Sequence, residues 1–215
     1  MPSRKKKKER WISHYSSSHK ILLVGEGDFS FSACLARAFR SATNMVATSF
    51  DSQGALLTKH WSSIPHIEEL RRLGCLVLHD VDVHDMRWDP RLEGMKFDII
   101  VFNFPHAGHF PSLRERDASL IKEHKKLITG FFKSSSKMLS EDGEVHVAHR
   151  DDYPYNTWEI EKLANKAGLG LIEKVEFRKA DYPGYHNKRG GGIQSNKKFP
   201  LGDYSFTFKF SPLYS

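Results

Sequence analysis

From residue 19 onward, short apolar runs alternate with longer stretches whose apolar positions recur at helical spacing. Residues 20–24 form a run suited to a buried strand, closed by Gly25-Glu26-Gly27. Residues 30–40 put Phe31, Cys34, Leu35, Ala38 and Phe39 on one helical face. A second apolar run, 46–50, ends at Asp51. Segments 53–61 and 66–73 predict two helices with a break at Pro65. A third strand is expected over 75–83, ended by the polar patch 82–85. The strongest strand signal is 97–104, closing at Pro105. A long helix is expected over 120–139, with a turn near Gly143 and a fifth strand over 144–149. A helix over 156–167, stopped by Gly168, precedes two final strands at 169–178 and 204–210.

Strands separated by helices imply right-handed parallel crossovers. The final pair is joined instead by a long loop, 179–203, without a helical pattern. Connections of that length are usually functional or mobile. The last strand therefore predicts an antiparallel entry into a seven-stranded, otherwise parallel α/β sheet.

Composition adds constraints. The chain has 215 residues, enough for one domain with its own core. Its apolar runs are too short to cross a bilayer. No apolar segment follows the basic start, so no secretory signal is expected. Two cysteines, Cys34 and Cys75, are too few for a disulfide framework, which fits a reducing compartment. Of the net charge of +7, the first ten residues hold +5. Residues 1–18 predict a flexible basic arm and 19–215 a single folded domain. Such an arm suits nuclear targeting or RNA contact, or simply a solvated terminus.

In open α/β sheets, ligands sit outside the carboxyl ends of the strands. There the first strand offers Gly25, Glu26, Gly27, Asp28 and Phe29, whose glycines let backbone approach a nucleotide-like ligand or simply form a tight turn. The second offers Asp51 and Ser52: Asp51 can accept from ribose hydroxyls or cap the next helix. The third offers Asp82 and Val83, suited to an adenine amino group and ring, or to a surface turn. The fourth offers Asn103, Phe104, Pro105 and His106. There the Asn103 side-chain carbonyl can accept from the N–H of a planar amide-like group, Phe104 can stack, and His106 is either a base or a loop histidine. Twelve histidines raise a metal question at His79, Asp82 and His84, or at His106 and His109. No cysteine cluster accompanies them, and no metal is expected.

Taken together, Gly27-Asp28-Phe29-Ser30-Phe31-Ser32, residues 47–52, residues 102–108, Gly130-Phe131-Phe132, residues 143–147 and residues 182–190 resemble the 25S ribosomal RNA uridine-N3 methyltransferase family. The resemblance implies a Rossmann-like class I methyltransferase using S-adenosylmethionine, with methyl transfer to uridine N3 of large-subunit ribosomal RNA. The acceptor loop is then Asn103–Phe104–Pro105–His106. The substrate RNA is then met by Tyr182, Tyr185, Lys188 and Arg189. Ribosomal RNA or a pre-ribosomal particle is the expected partner, no membrane is expected, and the nucleus or nucleolus is the expected location, with the cytoplasm as alternative. Two other readings remain open at this point. One is a non-catalytic RNA-binding protein that keeps the fold. The other is a nicotinamide-dependent oxidoreductase, which Gly25, Gly27 and Asp51 permit but Ser30 and the 103–106 loop disfavour.

Overall fold

A computed structural model describes residues 8–188 and 197–213. A small hairpin of β1 (Trp11–Ile12) and β2 (Tyr15–Ser16) precedes the main sheet. The sheet and its helices follow as β3 (Ile21–Val24), α1 (Ser30–Phe39), β4 (Met45–Thr48), α2 (Gln53–Lys59), α3 (Ser63–Arg72), β5 (Leu76–Leu78) and β6 (Phe97–Asn103). They continue with α4 (Ala118–Ser135), β7 (Leu139–Arg150), α5 (Ile160–Lys166), β8 (Leu169–Glu176) and β9 (Ser205–Pro212). The seven-stranded sheet runs β5-β4-β3-β6-β7-β9-β8. Pairs from β5 to β7 are parallel, and β9 is antiparallel to both β7 and β8. The strand order reverses between β3 and β6, which opens a crevice at their carboxyl ends.

The period of two along each strand divides the core in two. Leu22, Val24, Ile100, Phe102, Val145 and Val147 face α4 and α5, where Ile128, Phe131, Phe132 and Leu163 cover them. Ile21, Leu23, Met45, Ala47, Ile99 and Val101 face α1 and α3, where Phe31, Leu35, Ile67 and Leu70 cover them.

Several expected boundaries shift for identifiable reasons. Pro65 does not break a helix. It lies in the first turn of α3, where a missing N–H has no intrahelical partner to lose. The third strand stops at Leu78, because Asp80 takes a left-handed backbone (φ +56°) and turns the chain off the sheet. Gly143 lies inside β7 rather than in a turn. Glu159, at φ +53°, divides the expected helix over 156–167 into a 3₁₀ turn, Tyr155–Trp158, and α5. The segment 11–16, expected in a flexible arm, is folded. Tyr15 is 1% exposed and meets Phe31 edge-to-face at 6.0 Å, so the β1–β2 hairpin belongs to the folded body.

Candidate functional site

The carboxyl ends of β3, β4 and β6 enclose a cleft of about 370 Å³, within the range of small-ligand sites. Its floor is the turn after β3. Gly25 has φ +65°, and a Cβ there would sit 2.4 Å from Phe102 Cε2, so only glycine lets β3 close against β6. At Gly27 an added Cβ would lie 3.3 Å from Lys188 Cβ and 3.7 Å from His60 Nε2, both cleft residues.

The acidic residues of this turn point inward. Glu26 donates its N–H to the Thr48 carbonyl at 2.8 Å. Its Oε2 accepts from the Ser32 hydroxyl (2.8 Å) and N–H (3.2 Å) in the first turn of α1. Burial pushes this carboxyl up to about 7, against those two bonds. Asp28, 2% exposed, accepts from the Ser30 N–H at 3.1 Å. Its other oxygen faces His186 Nδ1 at 3.7 Å and Lys188 Nζ at 4.0 Å. Phe29 is fully buried and is chiefly a core residue at the cleft wall.

Asp51 lines the cleft with Oδ1 2.5 Å from Lys59 Nζ. Ser52 does not line it. Its hydroxyl caps α2 by accepting from the Ala55 N–H at 3.2 Å, which leaves Asp51 free of capping duty. Val83 is buried against the cleft. Asp82 accepts from both the N–H and Nδ1 of His84, at 2.9 and 2.7 Å. Burial opposes its ionisation, but those bonds hold its carboxyl below the ordinary range. Phe50, 69% exposed, offers an aromatic face that the strand pattern alone did not mark.

The opposite wall is the loop after β6. Asn103 ends the strand in register with Ala148, and its buried Nδ2 has no partner among the described residues. Phe104 adopts φ +48° and donates its N–H to the Ala148 carbonyl at 2.8 Å. Its ring lines the cleft and meets Phe177 (5.1 Å) and Phe199 (5.5 Å) in T-shaped contacts, which anchor it in the wall. Pro105 is buried outside the cleft and acts as a spacer.

His106 lines the cleft, part-buried, with both ring nitrogens engaged. Its Nδ1 accepts from the Gly108 N–H at 3.1 Å, which places the proton on Nε2, 3.0 Å from Glu115. His124 of α4 repeats the pattern. Its Nδ1 accepts from the Ala107 N–H at 3.1 Å, and its Nε2 lies 3.4 Å from Glu115. His124 is fully buried and stacked on Trp158 at 4.0 Å, and burial lowers its pKa. Glu115 also approaches His109 Nδ1 at 3.5 Å. Burial opposes its charge, yet the surrounding imidazoles hold its carboxyl far below the usual range. The atoms of His106, His109 and Glu115 lie within 4.8 Å of one another, as metal ligands would. The Nδ1 atoms of His106 and His124, however, are engaged by backbone N–H groups, and His106 Nε2 hydrogen-bonds Glu115, while the buried His124 Nε2 stands 3.4 Å from that carboxylate without a hydrogen-bond partner among the described residues. The arrangement is a hydrogen-bonded clamp joining the 103–109 loop to α4.

The described part of the late loop borders the cleft, where Tyr185, His186 and Lys188 line it. Tyr182, 3% exposed, packs on Phe177 at 5.3 Å with the rings 20° apart, so it is a core residue. Tyr185 lines the cleft but is 8% exposed and packed edge-to-face on Phe31 at 5.3 Å. Ser30 brackets this loop, accepting from the His186 N–H at 2.8 Å. Lys188 sits over Gly27 and Asp28. Arg189 lies outside the described residues. Sequence reasoning missed Lys59, His60, Glu123 and Lys126 in the cleft, and Glu115 and His124 behind it. Glu123 and Lys126 do recur three apart, but their helix face looks solvated in sequence.

Geometry of this kind defines a class: a Rossmann-like sheet with its antiparallel last strand, a glycine turn and acidic strand ends around one cleft, as in S-adenosylmethionine-dependent methyltransferases. Solved structures agree on the fold. NSun6 from Pyrococcus horikoshii aligns with TM-score 0.58 and 17% identity, over 92% of this chain and 49% of that one. The N-methyltransferase NodS from Bradyrhizobium japonicum, solved with S-adenosyl-L-homocysteine, aligns with TM-score 0.51 and 11% identity, over 90% and 78%. Residues 22–189 match the family described as rRNA (uridine-N3-)-methyltransferase BTM5-like, and the chain belongs to that family. It is 50% identical to uncharacterized protein At4g26485 of Arabidopsis thaliana, over 94% of this chain and 97% of the relative. It is 27% identical to the 25S rRNA (uridine(2634)-N(3))-methyltransferase of Saccharomyces cerevisiae, over 87% of this chain and 70% of the relative. The protein is a ribosomal RNA methyltransferase whose cofactor is S-adenosylmethionine. The nicotinamide reading falls away.

Proposed function

We propose that the cleft holds S-adenosylmethionine against Gly25–Gly27, Asp51 and Val83, and that a uridine enters beside Asn103. The cofactor's polar ends match the donor set present: the carboxylates of Asp28 and Asp51, the Lys188 ammonium, and the buried His60 Nδ1, which has no partner among the described residues. When bound, the cofactor supplies a methyl group already activated by a sulfonium.

The observation that carries the acceptor assignment is the unpartnered, buried Nδ2 of Asn103. Uridine N3 bears a proton, and its loss spreads negative charge over the two flanking carbonyl oxygens. The methyl must arrive along the line that the N3–H bond occupied. An Asn carbonyl placed on that line would block it. An amide N–H donated to a flanking carbonyl leaves the line open and stabilises the anion as it forms. As the methyl bonds to N3, the N3 proton passes to water at the open side of the cleft, and loss of the methyl leaves the neutral thioether S-adenosyl-L-homocysteine. The target base must leave its stack to reach the cleft, at a cost of a few kcal/mol.

The partner is ribosomal RNA, met in a pre-ribosomal particle in the nucleolus, as suits modification during assembly. Among the described residues no helix is long and apolar enough to cross a membrane. The test is nucleoside mapping of ribosomal RNA from cells with and without the protein. Loss of one 3-methyluridine is expected. An unchanged set of modified nucleosides would refute the proposal and favour an RNA-binding role.

A further inference from the structure

Beside the cofactor cleft runs a second hollow of about 320 Å³, and it shares His84 and Lys126 with the cleft. Its remaining cations are Arg87 and Lys133. Lys126 and Lys133 stand seven residues apart on α4 and so share one face. Arg87 projects from the 3₁₀ turn Met86–Trp88. All three are exposed, no acidic side chain lines the hollow, and none forms an ion pair with the described residues.

The hollow is built rather than incidental. A Cβ at Gly130 would sit 2.4 Å from His84 Cδ2, so glycine is what allows His84 to lie on the helix. The Ser134 hydroxyl donates to the His84 carbonyl at 3.1 Å and fixes the same segment. This accounts for Gly130 of the Gly130-Phe131-Phe132 motif, whose phenylalanines fill the core. The Arg87 guanidinium lies 4.5 Å over the Trp88 ring, and Trp88 is 69% exposed. Across Trp88 lies a net acidic hollow, lined by Asp80, Asp82, Asp85 and Asp89, with Arg91 paired to Asp89.

We infer that the basic hollow of Arg87, Lys126 and Lys133 is a groove for the RNA sugar-phosphate backbone flanking the target uridine, with Trp88 at its mouth as a stacking face for a neighbouring base. This rests on the RNA-modifying reading above. Phosphates are attracted to the three cations and repelled by the aspartates across Trp88, so the strand takes one side. Exposed aromatic faces beside a basic groove suit unpaired nucleotides.

The test uses the full chain carrying Arg87→Glu and Lys133→Glu together, with Lys166→Glu on α5 as a charge control. Binding of a short uridine-containing single-stranded RNA is measured against salt, alongside methyl transfer and S-adenosylmethionine affinity. The double variant is expected to bind RNA at least tenfold more weakly at low salt. Its logarithmic salt slope should fall by about 1.4, two phosphates at ~0.7 each. Cofactor affinity should stay unchanged, and Lys166→Glu should behave like wild type. Wild-type methyl transfer with RNA binding unaltered in the double variant would overturn the groove and leave the methyltransferase reading intact. A wild type that binds RNA through the groove but methylates none would do the reverse. Trp88→Ala supplies a second readout: weaker RNA binding at unchanged salt slope is expected. Wild-type affinity would remove the stacking role.

Discussion

Asn103 closes the most apolar strand of the sheet with an amide, and leaving a buried amide donor unpaired costs about 1–3 kcal/mol. On the proposed reading, that donor meets a uracil carbonyl when the base enters the cleft. Asn103→Ala is expected to lower methyl transfer about 10²-fold, equivalent to roughly 2.7 kcal/mol, with cofactor affinity unchanged. Single-turnover rates with calorimetric cofactor binding check this, and near-normal turnover in a folded variant would remove Asn103 from the mechanism. Residues of this kind were legible because strand ends are legible: an apolar run followed by glycine, aspartate or asparagine marks the cleft. Their neighbours were less so. Ser52 and Pro105 adjoin cleft residues in sequence, yet one caps a helix and the other is buried behind the loop. Tyr182 sits in a motif but serves the core, because a tyrosine in a loop carries no sequence sign of burial. Glu115 and His124 were hidden for the opposite reason, as polar residues near and on α4 that read as solvated.

The clamp on Glu115 belongs to the scale of elements, because it joins the loop after β6 to α4. It acts where Phe104 holds a left-handed backbone, a conformation costing a non-glycine residue about 1–2 kcal/mol and needing support around it. Glu115→Gln keeps one acceptor oxygen but turns an NH2 group toward an imidazole N–H. Methyl transfer is expected to fall about tenfold, through the rate at saturating RNA rather than through cofactor affinity. Nitrogen NMR of the imidazoles should show His106 and His124 as Nε2–H tautomers in the wild type. Stoichiometric zinc uptake that Glu115→Gln abolishes would instead make the cluster a metal site. A second element-level effect concerns His149 of β7, whose Nε2 bonds the Tyr155 carbonyl at 3.1 Å and whose ring packs on Trp158. Burial lowers its pKa to about 4. The unfolded chain protonates this ring near 6.5, so between roughly pH 6.5 and 4 the unfolded state binds the extra proton. Stability from this group is complete above about pH 6.5 and declines as pH falls through that window, by up to about 3 kcal/mol. Urea titrations across the window should show the decline. In His149→Gln, whose amide can still donate to Tyr155, the decline should shrink.

At the scale of the whole molecule, charge and fold are separated along the chain. Of the net +7, +4 sits in Arg4, Lys5, Lys6 and Lys7, ahead of the β1–β2 hairpin, and residues 8–215 carry the other +3. Because Tyr15 is in the core, a truncation that tests the basic segment must stop at residue 7. Removing residues 1–7 deletes four cations and leaves β1, β2 and the cleft intact. Phosphate contacts act by releasing counterions, so their loss is felt most at low salt. RNA affinity should therefore fall several-fold at low ionic strength, with the difference closing as salt rises. The logarithmic slope should drop by up to about 3, four contacts at ~0.7 each on single-stranded RNA. The rate at saturating RNA should not change, since no residue of the cleft is touched. A truncated protein that binds RNA normally would assign the basic segment to localisation alone. One that binds but fails to transfer methyl at saturation would place the segment at the reacting base, and the cleft described here would be incomplete without it.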